Sequence, residues 1–557
     1  MKQYLKNYSS GNQKGVITIL LSVIMLTGII VAALQITSNS ITRMKRGQNT
    51  EVALKTQQAA TSKRGEILHE INISEKLVSE LYSPGGAGDC SAANPAVRWQ
   101  TDSDGNQYCI DEIDEANGKY EVRVRSNDSN IIRRAEFIGP VPLFNPPHKF
   151  TASDRSAGDI FGGRIDKTIN SVSISKNRVA IGASQTGNGG DARGAVYVYT
   201  KNGSTWSEQK LTSNTSEERW FGYSVQIYED TLFVGAPKHI NKGAVYIFKL
   251  NGTDWIQTQM LESPTNEEGD RFGLSLATNG KRLVVGKGDT SETKNVYVYD
   301  YNSITKNWDP SAIIGNMGNT CDDLDTPTVD IDESGNRIVV GLFCQGGGEN
   351  SNIRVYNYSD SNWSWDATLT RPSVLDTDYT DYKYFGFSAA ISGDGKRIVV
   401  GNPHGTYRTN QGGFISIYDY IGVGWSNPTT IVAPRACAND RFGHSVDISR
   451  RGTRIVVGSS GDSNEYGYVS VYDYGGLWIE TKRIEDRLHG KDPFGILKGA
   501  SFGTGVALSR DKLNVIVGAP YEDVIYTSSG VDAGAASGYS PDYYTYQTPV
   551  TSGTHCD

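Results

Sequence analysis

His444, Ser445 and Asp447 stand within four positions of one another and supply the residue types of a base, a nucleophile and an orienting acid. On a strand, side chains alternate between faces, so His444 points away from both Ser445 and Asp447. A base cannot reach a nucleophile through a sheet, and this trio alone cannot relay a proton. Gly-x-Ser recurs at Gly222-Tyr223-Ser224, Gly273-Leu274-Ser275, Gly386-Phe387-Ser388 and Gly443-His444-Ser445. A nucleophile elbow needs a second Gly two residues after the Ser and a strand-to-helix turn; these stretches have neither. Serines that recur with a repeat are expected to serve its architecture.

The remaining candidates thin out in the same way. His69, His148, His239, His404, His444, His489 and His555 show no metal-type spacing. Asp and Glu are too plentiful for their presence to signal the facing carboxylates of a glycosidase. Trp206, Trp255, Trp308, Trp425 and Trp478 recur at one place in a repeat and are expected to pack blade edges. What does not recur is the acidic and aromatic stretch DTDYTDYKY. There Asp376, Asp378 and Asp381 could attract a cation or a basic partner, while Tyr379, Tyr382 and Tyr384 could stack on a ligand. A second variable stretch, 521–540, is rich in Gly, Ser and Ala. No catalytic residue, metal site or cofactor is expected.

The scaffold that must position these loops is a repeat. Phe-Gly pairs open at Phe161, Phe221, Phe272, Phe385, Phe442 and Phe502. Each is followed by an alternating strand, a tight turn, an apolar run ending in Gly, a Tyr-rich alternating strand and a Trp. The double gap between Phe272 and Phe385 holds a degenerate copy: Thr328 to Ile331, Arg337 to Gly341, Ile353 to Tyr358 and Trp363, with Asp325-Thr326 in place of Phe-Gly. Seven units of about four short strands predict a mainly β chain folded as a seven-bladed β-propeller. The last unit, with Tyr543 to Gln547 read as its third strand, lacks an evident fourth. The stretch 148–153 looks like a fourth strand without a blade and is expected to close the ring. The loops joining second to third strands, and fourth strands to the next Phe-Gly, should share one face and carry binding.

This pattern resembles the FG-GAP repeat family, the propeller of integrin α-chains and many bacterial surface proteins, over 148–547. The resemblance implies a display scaffold. Its calcium-binding members carry spaced acids between the first two strands. Here those turns are mostly too short for six to eight oxygen ligands, and Asp332 to Asn336 comes nearest.

The N-terminal residues bear on location. Residues 1–15 are basic, with Lys2, Lys6 and Lys14, and 16–36 is uncharged and mostly apolar. As a helix, 21 residues span roughly 31 Å, enough to cross a bilayer with the basic side cytoplasmic. The stripe Ile67, Ile71, Val78, Leu81 extends helical character, giving one long transmembrane and amphipathic α-helix over 16–82, stopped by Ser83-Pro84-Gly85-Gly86. Within 83–139, four short runs (Val97 to Thr101, Gln107 to Ile110, Tyr120 to Ser126, Ile131 to Phe137) read as a small antiparallel β-sheet. Residues 140–147 form a Pro-rich linker, and 548–557 a tail.

A basic leader, Gln13-Lys14-Gly15-Val16, an apolar helix and a small sheet resemble a type IV pilin-like protein over about 1–140. The resemblance implies prepilin cleavage between Gly15 and Val16 and contacts with other pilin-like subunits through the helix. Leu20 stands where the family usually has Glu, which fits a minor pilin or pseudopilin at a filament tip. The alternative is an uncleaved signal anchor.

Net charge is −8, which argues against nucleic acid as the partner. Six cysteines in a chain that leaves the cytoplasm favour disulfides. Six allow fifteen pairings; proximity favours Cys90 with Cys109 and Cys321 with Cys344, leaving Cys437 and Cys556. The combined expectation is a cell-surface or pilus-tip adhesin whose extracellular propeller binds a protein or glycan. The alternatives are a membrane-anchored hydrolase using the propeller pocket, or a structural filament subunit.

Overall fold

The computed structural model describes residues 100–101, 107–114, 119–125, 132–138, 148–154, 159–163, 171–184, 193–213, 220–265, 267–288, 295–315, 327–342, 351–372, 384–405, 412–434, 440–461, 467–485, 501–510, 514–520 and 535–539. The chain divides into two compact units, Met1–Val141 and Pro142–Asp557. In the first, Gln100–Thr101, Gln107–Asp114, Lys119–Arg125 and Ile132–Ile138 form an antiparallel meander in chain order. Residues 1–99, which include the expected membrane helix and the Gly15-Val16 junction, lie outside the described residues. Among the described residues, no helix is long and apolar enough to cross a membrane.

The second unit is a β-propeller. Among its described residues, six blades are each built of four consecutive antiparallel strands, the first running Val172–Ser175, Arg178–Ala183, Ala195–Asn202 and Thr205–Leu211. A further four-stranded sheet is composite. It joins Val506–Leu508, Val515–Ala519 and Ala535–Tyr539 to His148–Phe150, so the first strand of the unit pairs with one of its last. The expected seven-bladed count is therefore corrected to six blades of four consecutive strands, while the last repeat, as expected, supplies three strands and takes its fourth from His148–Phe150. The third of these is also corrected, from Tyr543 to Gln547 to Ala535–Tyr539. The Tyr-rich alternation of the other third strands pointed to the wrong segment. The strand that forms is Ala-Ala-Ser-Gly-Tyr, whose small residues carry little β-propensity of their own.

The Phe-Gly motif has a local cause. Trp220 O accepts from Tyr223 N at 3.1 Å, which makes Trp220 to Tyr223 a β-turn with Phe221 and Gly222 at its centre. Gly222 has φ +84°, the value a type II turn demands at its third position and one that favours Gly. The same bond closes the turns before Phe387, His444 and Thr504. Each turn buries its Phe completely, as with Phe221 and Phe272 at 0% exposure.

The Gly that ends the second strand explains how blades join. A Cβ on Gly235 would collide with the carbonyl of Gly273, because the Phe-Gly turn of the next blade sits directly against it. The Gly-x-Ser serines act at the same joint: Ser224 Oγ donates to Gly273 O, Ser388 Oγ to Gly443 O and Ser445 Oγ to Gly503 O, each at 2.8 Å. Second strands such as Arg454–Ser459 are buried throughout, since both faces of each sheet meet a neighbour.

A second joint repeats at the first-to-second-strand turns. Arg282 forks onto Asp300 of its own blade (2.6 and 3.0 Å) and donates to Gly335 O of the next blade at 2.6 Å. Its guanidinium lies 4.2 Å from the Tyr358 ring centre and 5.2 Å from that of Trp363. Arg337 and Arg397 repeat the arrangement over Tyr420 with Trp425 and over Tyr474 with Trp478. Trp363, Trp425 and Trp478 thus complete interblade clasps, and Trp255 and Trp308 are buried.

Candidate functional site

The residue after each Phe-Gly is the one that changes between blades, and its side chain belongs to the axial end of the ring. Thr504, His444 and Phe387 follow one another there. A Cβ on Gly163 would meet Thr504 Cγ2, His444 Nδ1 lies 3.1 Å from Thr504 O, and the Phe387 and His444 ring centres are 5.0 Å apart. Tyr384 adds to this arc, 6.0 Å from Phe387 and 4.2 Å from His404. A second arc is built by Trp220 stacked on Tyr223 at 5.4 Å and 10°, with Leu274 packed alongside and Lys238 Nζ 3.8 Å from the Trp220 ring. Tyr223, Leu274, Phe387, His444 and Thr504 are buried and form the floor; Trp220, Lys238, Tyr384 and His404 are partly exposed above it.

Such a surface offers flat aromatic rings, two imidazoles and one ammonium group. It suits stacking against apolar or ring-shaped ligand parts. His444, Ser445 and Asp447 do not form a relay: His444 packs on Phe387, Ser445 bonds Gly503 O, and Asp447 accepts from Ile448 N and Leu508 N at 2.7 Å each. Of the acidic-aromatic stretch, Tyr384 is described and stands in the first arc. Asp376, Asp378, Tyr379, Asp381 and Tyr382 lie outside the described residues, as do Cys90, Cys321, Cys344, Cys437 and Cys556. Cys109 lies on the strand Gln107–Asp114. No group of His, Cys, Asp or Glu that could hold a metal occurs among the described residues. Asp332, in the turn nearest to a calcium loop, spends its carboxylate on Ser334 Oγ and on the backbone N–H groups of Asn336 and Arg337.

Sequence reasoning missed Asp330 and Asp447 as a pair. Asp330 accepts from Ile331 N and, across the blade joint, from Ile391 N, each at 2.8 Å; Asp447 does the same with Ile448 and Leu508. These N–H groups are on first strands, which have a neighbour on one side only and so an edge left to satisfy. Both residues are half-buried. Burial raises Asp330 to about 7 and Asp447 to about 6, and the charge of Asp447 adds to the rise at Asp330. The signal was present as Asp at equivalent positions of Thr-Val-Asp-Ile and Ser-Val-Asp-Ile.

The opposite end is drawn together by the first-to-second-strand turns. Glu333 pairs with both Arg450 and Arg510, the latter at 3.2 Å, and Arg510 Nη1 donates to Tyr228 OH at 2.9 Å, linking three blades and the composite sheet.

The FG-GAP repeat family model matches residues 147–199, 206–248 and 425–472. The chain carries FG-GAP repeats folded as a β-propeller. No curated protein matches it. Among solved structures, the WD40 repeats of RRP9 are 10% identical, over 71% of this chain and 98% of that one, with a TM-score of 0.42. The periplasmic gluconolactonase of Pseudomonas aeruginosa is 13% identical, over 66% and 92%, with a TM-score of 0.38. Sqt1 of Saccharomyces cerevisiae is 10% identical, over 71% and 98%, with a TM-score of 0.39.

Proposed function

We propose that this chain is a cell-surface recognition protein, an adhesin held outside the cell by a pilin-like N-terminal region, whose propeller binds an extracellular protein or glycan. One observation carries the reading. The residue types that mark the repeat are consumed by its architecture: Phe and Gly by the turns, Ser and Arg by interblade bonds, Trp by clasps or burial. Variety is left to the axial mouth and the loops around it, which is the distribution a binding scaffold needs. In this reading the composite sheet is the seventh blade. The ligand meets Tyr384 and Trp220 together with the stretch 376–382, where Asp376, Asp378 and Asp381 favour a basic group and Tyr379 and Tyr382 add stacking surface. Residues 16–36 hold the chain in the membrane, and disulfides suit its exterior location.

Screening the full chain on glycan and extracellular-protein arrays tests binding. A retained ligand should lose at least tenfold affinity on Tyr384→Ala with the melting temperature unchanged; undiminished affinity in that variant and in Trp220→Ala would place recognition elsewhere. Mass analysis of the native N-terminus tests the anchor. A chain starting at Val16 is expected, and an intact Met1 would remove the pilin-like part while leaving a membrane-anchored binding protein.

A further inference from the structure

The composite sheet differs from the other blades in how it is held. His148–Phe150 pairs antiparallel with Ala535–Tyr539 through Gly538 opposite His148, Ser537 opposite Lys149 and Ala536 opposite Phe150. Among the described residues this is the shortest third-to-fourth-strand pairing; elsewhere such pairs extend from Ile417↔Thr429 through Phe414↔Val432 at the least. It is also the one such pairing whose two strands are not joined by a hairpin, so no turn restores it once open.

Its register matters more than its length. Because the pair is antiparallel, the chain enters at His148 beside Gly538, one residue from where it leaves at Tyr539. Tension between the segments before His148 and after Tyr539 therefore loads the outermost backbone bonds first and one after another. Pulling along the strands would load all of them at once, and this geometry excludes that.

Past the pair the chain is anchored differently. Phe150, 1% exposed, packs on Tyr199 at 4.7 Å and edge-on to Trp206 at 4.9 Å. Tyr199 OH donates to Thr151 O at 3.0 Å, and Asp154 receives Tyr197 OH at 2.6 Å and the Lys210 ammonium. These partners all belong to the first complete blade, so 150–154 crosses from the composite sheet to its neighbour as a strap.

We infer that residues 148–154 form a tension-sensitive strap: load between the two ends of the propeller unzips His148–Phe150 from Ala535–Tyr539 and stops at the Phe150 anchor, freeing the outer edge of the composite sheet while the six consecutive-strand blades stay intact. The inference holds whatever the ring binds.

Force spectroscopy on the full chain, with handles at its two ends, tests it. The lowest-force event of the ring should vanish in the oxidised Lys149→Cys/Ser537→Cys variant, whose cysteines face each other across the pair, and return on reduction. Phe150→Ala should lower the force of the next step and leave later events unchanged. A lowest-force ring event indifferent to the clamp, or first rupture inside a consecutive-strand blade, would overturn the strap. If the clamp does not oxidise, Phe150→Ala alone decides, since an unchanged force spectrum is incompatible with the anchor.

Discussion

Asp330 and Asp447 show at the scale of single residues how one side chain can serve a joint and also set a pH dependence. Each carboxylate accepts two backbone N–H groups from first strands of adjacent blades, which favours the ionised form, yet burial outweighs those bonds and the carboxyls are held at about 7 and about 6. An unfolded Asp titrates near 3.9. Between about pH 4 and pH 7 the folded ring therefore keeps protons that the unfolded chain has released. Stability contributed by these groups is complete below about pH 4 and is lost as pH rises through the raised folded values. Asn cannot ionise, so Asp330→Asn with Asp447→Asn should flatten the fall in melting temperature between pH 4 and pH 8. Calorimetry at stepped pH reads this as a slope, which is separate from any uniform cost of replacing a carboxylate oxygen by an amide. Identical slopes in variant and parent would show that neither group titrates in that window.

The interblade clasp is the unit that matters at the scale of elements. Arg397 pairs with Asp419, donates to Gly452 O of the next blade and lies 4.2 Å from the Tyr474 ring centre. A guanidinium does all three at once because it is planar and forked; an ammonium of the same charge cannot. Arg397→Ala should cost about 2–3 kcal/mol in denaturant unfolding, and Arg397→Lys should restore less than half of that. Full rescue by Lys would mean that charge alone carries the clasp. Much at this scale was legible in the sequence. The recurrence of Phe-Gly, of apolar runs ending in Gly and of Gly-x-Ser located the strands, and the alternation rule already separated His444 from Ser445. The third strand at Ala535–Tyr539 was not legible, because nothing local in Ala-Ala-Ser-Gly-Tyr prefers a strand; pairing with Val515–Ala519 on one side and His148–Phe150 on the other makes it one. The axial mouth was half legible. The variability of the residue after Phe-Gly was visible, but the meeting of Tyr384 with His404, or of His444 with Thr504 from the next blade, depends on ring curvature that no single repeat encodes.

For the whole molecule the question is whether the ring behaves as a chain of independent repeats or as one body. First strands pack against first strands around the ring, and Val506–Leu508 returns against Val172–Ser175. At every joint but the one into the degenerate repeat, where Gly286 faces Pro327, the Phe-Gly turn of one blade fills the space left by a Gly near the end of the previous blade's second strand, and Gly518 carries the pattern back to Gly162. An open array of repeats can fray from its ends, since each repeat touches only its neighbours. A closed ring has no such end, and loss of one joint releases the curvature constraint on all the others. Gly235→Ala and Gly458→Ala lie in different blades, and at both a Cβ would strike backbone of the next blade that cannot swing away. Each should therefore destabilise the ring by about 1–3 kcal/mol, as overpacking against a rigid neighbour does. Both should shift one shared transition, so that tryptophan fluorescence and far-ultraviolet circular dichroism of either variant fall together at the same lowered denaturant midpoint. If the two probes separate, or if hydrogen exchange shows only the substituted blade opening while the rest keeps parental protection, the blades are independent repeats and closure through His148–Phe150 contributes nothing to their cooperation.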